Sequence, residues 1–219
     1  MAQGYVKAVE LPQVIPVFPL PGAILLPRGQ LPLSIFEPRY LNMIDDAMAG
    51  DRIIGMIQPT AGPHRLPSLS PIGCAGRITS YAETSDGRYL ITLTGCARFR
   101  LANELPTQMP YRQVRADFTP YEHDLAPPVV DEGGLDRDDL IDALRAYLES
   151  RGLDIDWDTA EGAPAEALVN SLSMALPFEP PEKQALLEAP LLTDRADVLT
   201  ALLRIDAADG GDGDGPLMQ

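Results

Sequence analysis

Residues 14–59 read VIPVFPLPGAILLPRGQLPLSIFEPRYLNMIDDAMAGDRIIGMIQP, short apolar segments punctuated by proline that run into an amphipathic helix. Pro38 opens the helix in the first turn, where no amide donor is needed, and Glu37 before it places negative charge at the positive end of the helix dipole. Tyr40, Leu41, Ile44, Ala47 and Met48 then fall on one helical face, and Gly50 stops the helix. Upstream, Pro16, Pro19, Pro21, Pro27 and Pro32 each delete a ladder donor. Strands here are therefore expected to be short, kinked or at a sheet edge, not flat and central.

Downstream the pattern stays strand-like. Residues 53–57 form a short apolar run, 60–71 a proline-rich loop and 72–82 a longer strand. Asp86-Gly87 before residues 89–94 predicts a hairpin, because glycine accepts the positive φ of a tight turn. With 97–104 and 111–118, these short strands suit a small closed or half-closed barrel. Arg98, Arg100, Arg112 and Arg115 are expected on a solvated strand face.

Residues 119–134, TPYEHDLAPPVVDEGG, lose all periodicity and read as a linker. Beyond it, Leu140, Ile141, Leu144, Tyr147 and Leu148 share a helical face, as do Leu168, Val169, Leu172, Ala175 and Leu176. Pro181 starts a third helix at Glu182, and Thr193 or Asp194 caps a fourth running to about Ile205. The expected class is α+β: a β barrel-like subdomain with one short helix over 1–118, a linker over 119–134, a helical bundle over 135–206, and a disordered acidic, glycine-rich tail over 207–219.

The ordered succession FPLPG, LPL, IFEPRY and GDR resembles the substrate-binding amino-terminal domain of Lon proteases, including its stand-alone relatives. Residues 72–78 (IGCAGRI), 86–91 (DGRYLI), 95–100 (GCARFR), Pro110-Tyr111-Arg112, 182–188 (EKQALLE) and Arg195 extend the likeness over about residues 12–205. It implies a PUA-like pseudo-barrel with a helical bundle behind it, binding of unfolded or partly unfolded polypeptides, and a protease or chaperone as co-worker.

The net charge of −15 is uneven: through Phe118 there are 11 basic against 9 acidic residues, and from Thr119 onward 6 against 23. The acidic half disfavours nonspecific attraction to nucleic acid or anionic lipid, while the near-neutral β half remains open to partners. Cys74 and Cys96 lie in expected strands as small buried hydrophobes, and His64 and His123 stand apart, so local spacing builds no metal site. No signal-peptide pattern opens the chain and no run approaches the ~20 apolar residues of a membrane span. A cytoplasmic protein without cofactor is expected.

Complete Lon proteases carry an ATPase and a serine–lysine peptidase. Neither signature is found here: there is no Gly-Lys dipeptide for a phosphate loop and no GxSxG elbow. The only lysines are Lys7 in the leading segment and Lys183 in an acidic, proline-opened helix, whereas a lysine base must be desolvated beside its serine. No enzymatic activity is expected. Two readings remain. In the first, a module grips exposed apolar polypeptide segments through an apolar groove or an accepting sheet edge, with Phe18, Leu20, Leu33, Glu37, Arg39 and Tyr40 as candidate binding residues. Glu37 and Arg39 also read as a local pair tying the corner while Phe36 and Tyr40 anchor the core, and binding would need an exposed Tyr40 ring. The second reading is a nucleic-acid binder using Arg77, Arg88, Arg98, Arg100, Arg112 and Arg115 on phosphates; charge favours the first.

Overall fold

The computed structural model describes residues 5–60, 67–127 and 134–210. Strands β1 (Val14–Pro19), β2 (Gln30–Ile35), β3 (Ile53–Pro59), β4 (Leu69–Glu83), β5 (Tyr89–Leu105) and β6 (Arg112–Asp117) come first, with α1 (Pro38–Ala49) between β2 and β3. Helices α2 (Arg137–Ser150), α3 (Trp157–Gly162), α4 (Ala165–Ala175), α5 (Pro180–Glu188) and α6 (Leu192–Gly210) follow. The α+β class and its order along the chain are those the sequence predicts.

The strand order is β2-β5-β4-β3-β1-β6, and β6 also pairs with β5, which closes five strands into a near-barrel and leaves β2 outside the ring. One long strand makes this possible. The two runs expected at 89–94 and 97–104 are continuous in β5, whose first half pairs with β2 and β4 and whose last residues, from Arg100 to Leu105, pair with β6. A register shift in the β4–β5 ladder at Ala75/Gly76 lets β5 bend between these partners. Inside the ring Ile15, Val17, Ile53, Phe99, Val114 and Phe118 form the core, with Phe99 and Phe118 edge to face at 6.0 Å. Each such side chain contributes about 1.5–3 kcal/mol by leaving water.

The prolines of β1 do not place it at an edge: it lies between β3 and β6. The strand changes partner at Val17, pairing with β6 over Val14–Val17 and with β3 over Val17–Pro19. Ala116 N donates to Gln13 O (2.9 Å) and Leu20 N to Ile57 O (3.1 Å). By alternation, the amide position of Pro16 faces β3 before that ladder begins, and that of Pro19 faces β6 after its ladder ends. Each proline thus omits a donor where no acceptor waits.

Helix α1 starts at Pro38 and ends at Gly50, and buries Tyr40, Met43, Ile44 and Ala47. The β4–β5 hairpin turns at Gly87, whose φ is +79°, as Asp86-Gly87 predicts. Residues 119–125, read as linker, instead form a 3-10 segment that buries Asp124 and Leu125.

By contacts the chain divides into two compact units. One holds all six strands, α1 and residues Leu176–Leu187, which include nearly all of α5; the other holds α2, α3, α4 and α6. The sequence grouping of every helix after 134 in one bundle therefore does not describe α5. Its hold on the strands is polar as well as apolar: Gln58 Nε2 donates to Pro180 O (2.9 Å) and Gln184 Oε1 (3.0 Å), and Gln184 Nε2 donates to Ile72 O (3.2 Å). Glu182 reaches back to accept from Glu179 N (2.8 Å), satisfying an orphan donor at the helix start.

In the other unit, α2 is capped by Asp136, which accepts from Asp139 N, and α3 by Asp156, which accepts from Thr159 N. Helix α3 has no counterpart in the sequence reading. Arg137 Nη2 closes its far end by donating to Ala160, Glu161 and Ala163 carbonyls. Buried Arg195 of α6 donates to Asn170 Oδ1 of α4 at 2.9 Å. Helix α6 runs through Gly210, so the expected tail begins later than 207; residues 211–219 lie outside the described residues, as does His64.

Candidate functional site

The corner between β2 and α1 gathers most of the residues that the sequence nominates. Phe18 and Tyr40 are buried edge to face, with ring centroids 4.4 Å apart, and burial pushes the Tyr40 hydroxyl up. Leu20 and Leu33 are half-buried. Glu37 and Arg39 pair at 2.7 Å, and the Arg39 guanidinium lies 4.6 Å from the Tyr40 ring centre. This is a structural corner, and the Tyr40 ring is not the exposed surface that a binding role demands of it. The expectation that Phe36 anchors the core fails: it is 63% exposed, because the chain leaves β2 at Ile35 before turning into the helix. Arg88 sits 5.9 Å from its ring centre.

The pairing register shows what surrounds Phe36. Antiparallel partners share a face, so Ser34 with Leu90 and Pro32 with Thr92 point the same way, as do Ala82 with Leu90 and Ser80 with Thr92. Extending the register sets Phe36 beside Arg88, diagonal to Leu90. Pro32, Ser34, Ser80, Ala82 and Leu90 are all exposed, Leu90 by 46%. The outward face of β2, β5 and β4 thus carries two large apolar side chains among small neutral ones. Its two arginines are both engaged: Arg88 is paired with Asp86 at 2.9 Å, and Arg77, opposite Thr94, donates to the Tyr5 hydroxyl at 2.9 Å. Leu90 is legible in the sequence as the apolar member of the outward series Leu90, Thr92, Thr94. Nothing local marks Phe36.

The same face borders an open edge, since among the described residues β2 pairs with β5 alone. Gly95 N donates to Gly29 O (2.9 Å), so by alternation Leu31, Leu33 and Ile35 aim their amides at β5, and Gln30, Pro32 and Ser34 aim theirs outward. Pro32 removes the middle donor of the open edge, which blunts strand addition.

The arginine set is largely engaged elsewhere. Arg98 is not on a solvated face: it is 2% exposed, and its N, Nε and Nη2 donate to Asp124 at 2.9, 2.9 and 2.8 Å. Arg98 Nη1 reaches Leu187 O at 3.3 Å, and His123 Nε2 lies 3.1 Å from Nη2. Arg100 pairs with Asp117, Arg112 with Glu104, and Arg77 donates to the Tyr5 hydroxyl. Those partnerships hold the Asp117 and Glu104 carboxyls below their ordinary range. A phosphate backbone would have to displace the acids.

Lys183, which the sequence places in an acidic, proline-opened helix, is desolvated in the structure. It is 2% exposed, its ammonium lies 5.9 Å from the Phe178 ring centre, and burial pushes its pKa down to about 8. Cys74 and Cys96 are both buried free thiols, and burial pushes the Cys96 thiol up. Among the described residues no group of three or more His, Cys, Asp or Glu could hold a metal ion, and no helix is long and apolar enough to cross a membrane.

Comparison with known proteins matches residues 14–204 to the family described as the ATP-dependent protease La (LON) substrate-binding domain. Lon protease 2 of Myxococcus xanthus is 30% identical over 117 residues, 52% of this chain and 14% of that protein. Lon protease of Desulfosudis oleivorans is 32% identical over 106 residues, 47% of this chain and 13% of that protein. The matched part thus spans about one-seventh of these relatives. Among solved structures, a Lon N-terminal domain protein from Xanthomonas campestris aligns with a TM-score of 0.59 at 22% identity, covering 86% of this chain and 97% of that one. The N-terminal domain of the Mycobacterium avium complex Lon protease aligns at 0.62 and 16% identity, over 87% of this chain and 97% of its own. At such identities the likeness is one of fold.

Proposed function

The chain belongs to the LON substrate-binding domain family, and from that premise we propose that it captures exposed apolar segments of other polypeptides on the outward face of β2, β5 and β4. The observation that carries this reading is the neutral, exposed surface holding Phe36 and Leu90. An apolar side chain laid there leaves water without stranding a charge, which is what a central contact in a binding patch requires. The relatives named as proteases make a protease the natural receiver of such clients, with this chain as an adaptor that holds but does not cut. Lys183 is consistent with a non-catalytic role despite its lowered pKa, because its burial leaves no access for a substrate. The blunted edge at Pro32 favours docking on the face over addition of a strand.

The test is fluorescence anisotropy with labelled apolar peptides from unfolded proteins. Phe36→Asp and Leu90→Asp, both at exposed positions, are expected to weaken binding about tenfold each, the loss of one buried side chain's transfer energy. Pro32→Ala returns the missing edge donor while trimming a small part of the face, so it weakens binding slightly if the face is the dock, but strengthens it if strands add. Unaltered affinity in both aspartate variants, with far-UV circular dichroism intact, would refute the proposal.

A further inference from the structure

At the far end of α1 from Phe36, a cleft of about 190 Å³ opens between the start of β1, the α1–β3 turn and β6. Segments distant in sequence converge there: the end of the helix begun by FEPRY brings Asp46, the GDR turn brings Asp51 and Arg52, and the strand after Pro110 brings Tyr111 and Gln113. The backbone of the turn is firmly held. Arg52 has φ of +60°, with its N–H on Ala47 O (2.9 Å) and its carbonyl accepting from Ile78 N (2.8 Å). Tyr111 is buried, and its hydroxyl donates to Asp46 Oδ2 at 2.7 Å. Burial and that bond push the phenol up to about 12.

The carboxylates of this cleft lack the arginine partner that several others in this unit have: Glu37, Asp86, Glu104, Asp117 and Asp124 each pair with an arginine. Asp51 and Arg52 are adjacent and exposed yet make no ion pair with each other or with Asp46 among the described residues, and only Oδ2 of Asp46 is engaged. Asp46 and Asp51 against Arg52 leave the cleft net negative. Pro12, Val14, Ile15 and Pro16 give it an apolar wall.

We propose that this cleft takes the side chain of a lysine carried by a bound polypeptide. An ammonium offers three donors and no acceptor. Asp46 Oδ1, Asp51 and the Gln113 carbonyl are the acceptors at hand, while the methylene stem lies on Val14 and the flanking prolines, the division of labour that long cationic side chains favour. The inference rests on the polypeptide reading for the source of the lysine, and it sharpens that reading. The helix rises about 1.5 Å per residue, so Pro38 to Asp46 spans roughly 12 Å, the two extended residues from Phe36 add up to about 6–7 Å, and an extended chain covers this in about five or six residues. The preferred client is therefore an apolar segment with a lysine about five or six residues from its central apolar side chain.

Backbone amide NMR of the full chain tests the cleft directly, with N-acetyl-lysinamide as the probe, its norleucine analogue as the neutral control and putrescine as a free cation. Saturable shifts at Asp51, Arg52 and Gln113 with the lysine probe alone, weakened about tenfold in the Asp46→Asn, Asp51→Asn double variant, support the proposal. The Asp46→Asn change retains an acceptor for the Tyr111 hydroxyl, which keeps the fold. Equal shifts with norleucine, no saturable shift at all, or indifference to the double variant overturn it; binding of putrescine without the lysine probe overturns the polypeptide source. The Phe36 and Leu90 variants read the apolar face separately, so a silent cleft beside an active face rejects this inference alone.

Discussion

Arg98 and Arg100 lie two residues apart on the same strand and the same face, each paired with an aspartate, and they offer a controlled test of what burial does to an ion pair. Asp124 is 4% exposed and accepts three bonds from Arg98, whereas the Arg100 side chain is 58% exposed where it meets Asp117. Replacing Asp124 by Ala takes away the carboxylate that Arg98 meets through its N, Nε and Nη2 in a buried setting. The expected loss is about 3–5 kcal/mol, that of breaking a buried pair by removing one partner. Asp117→Ala should cost under about 1 kcal/mol, since solvent screens the exposed pair. Urea unfolding followed by tyrosine absorbance reads the strand unit, which holds six of the seven tyrosines, while emission of the single tryptophan, Trp157, reads the helical unit. The Asp124→Ala loss belongs to the first signal. The double variant Arg98→Met, Asp124→Leu should recover part of it, because neither charge of the pair remains buried, although Arg98 N and the Leu187 carbonyl lose a side-chain partner. Equal costs for Asp124→Ala and Asp117→Ala, or no recovery in the double variant, would show that burial is not what distinguishes the pairs.

Lys183 has a folded pKa of about 8 against an ordinary 10.5, so between these values the unfolded chain binds the extra proton and stability rises with pH; the cost of the buried charge, about 2–3 kcal/mol, is fully present below pH 8. Denaturant midpoints at pH 7 and 10 should show this rise, and Lys183→Met should flatten it. At higher pH the trend reverses. Tyr111 and Tyr89 are both pushed up to about 12, Tyr111 chiefly by burial and Tyr89 chiefly by hydrogen bonding to Tyr81 and then Asp45, so the unfolded chain ionises first and stability falls above about pH 10. Absorbance titration at alkaline pH should find these two phenols late, with Tyr40 and Tyr147 also raised by burial, and Tyr111→Phe should remove one of the latest. Gly95→Ala should destabilise by about 3 kcal/mol or more in thermal melts, because a Cβ there collides with the carbonyl of Leu26, a backbone atom that cannot swing aside.

Where an element depends on its own residues, it is legible in the sequence. Pro38 and Gly50 bound α1, Asp86-Gly87 turns the hairpin, and Glu182 and Asp194 reach back to the amides of Glu179 and Leu191 at the starts of α5 and α6. The apolar stripe of α2 faces inward at each residue expected of it. Of the outcomes that proline content allows, β2 takes the edge and β1 is short, six residues, yet interior, because it changes neighbour at Val17. Lost periodicity argues for a linker at 119–125, and there a distant partner decides the outcome: Asp124 meets Arg98 across 26 positions.

The candidate site divides along the same line. Its sequence nominees Phe18 and Tyr40 do meet, but as core, while Phe36 becomes surface because the chain turns away from the sheet one residue earlier. By itself the sequence determined most of the helices, the hairpin turn and the alternation of strand faces, since these arise from sterics and hydrogen bonds among near neighbours. Only the tertiary structure decided that α5 joins the strands, that Arg98 is buried while Arg100 on the same face is not, and that Asp46, Asp51 and Gln113 line one cleft. Burial is a property of what packs above a residue, and a period-two pattern names the face without naming the cover.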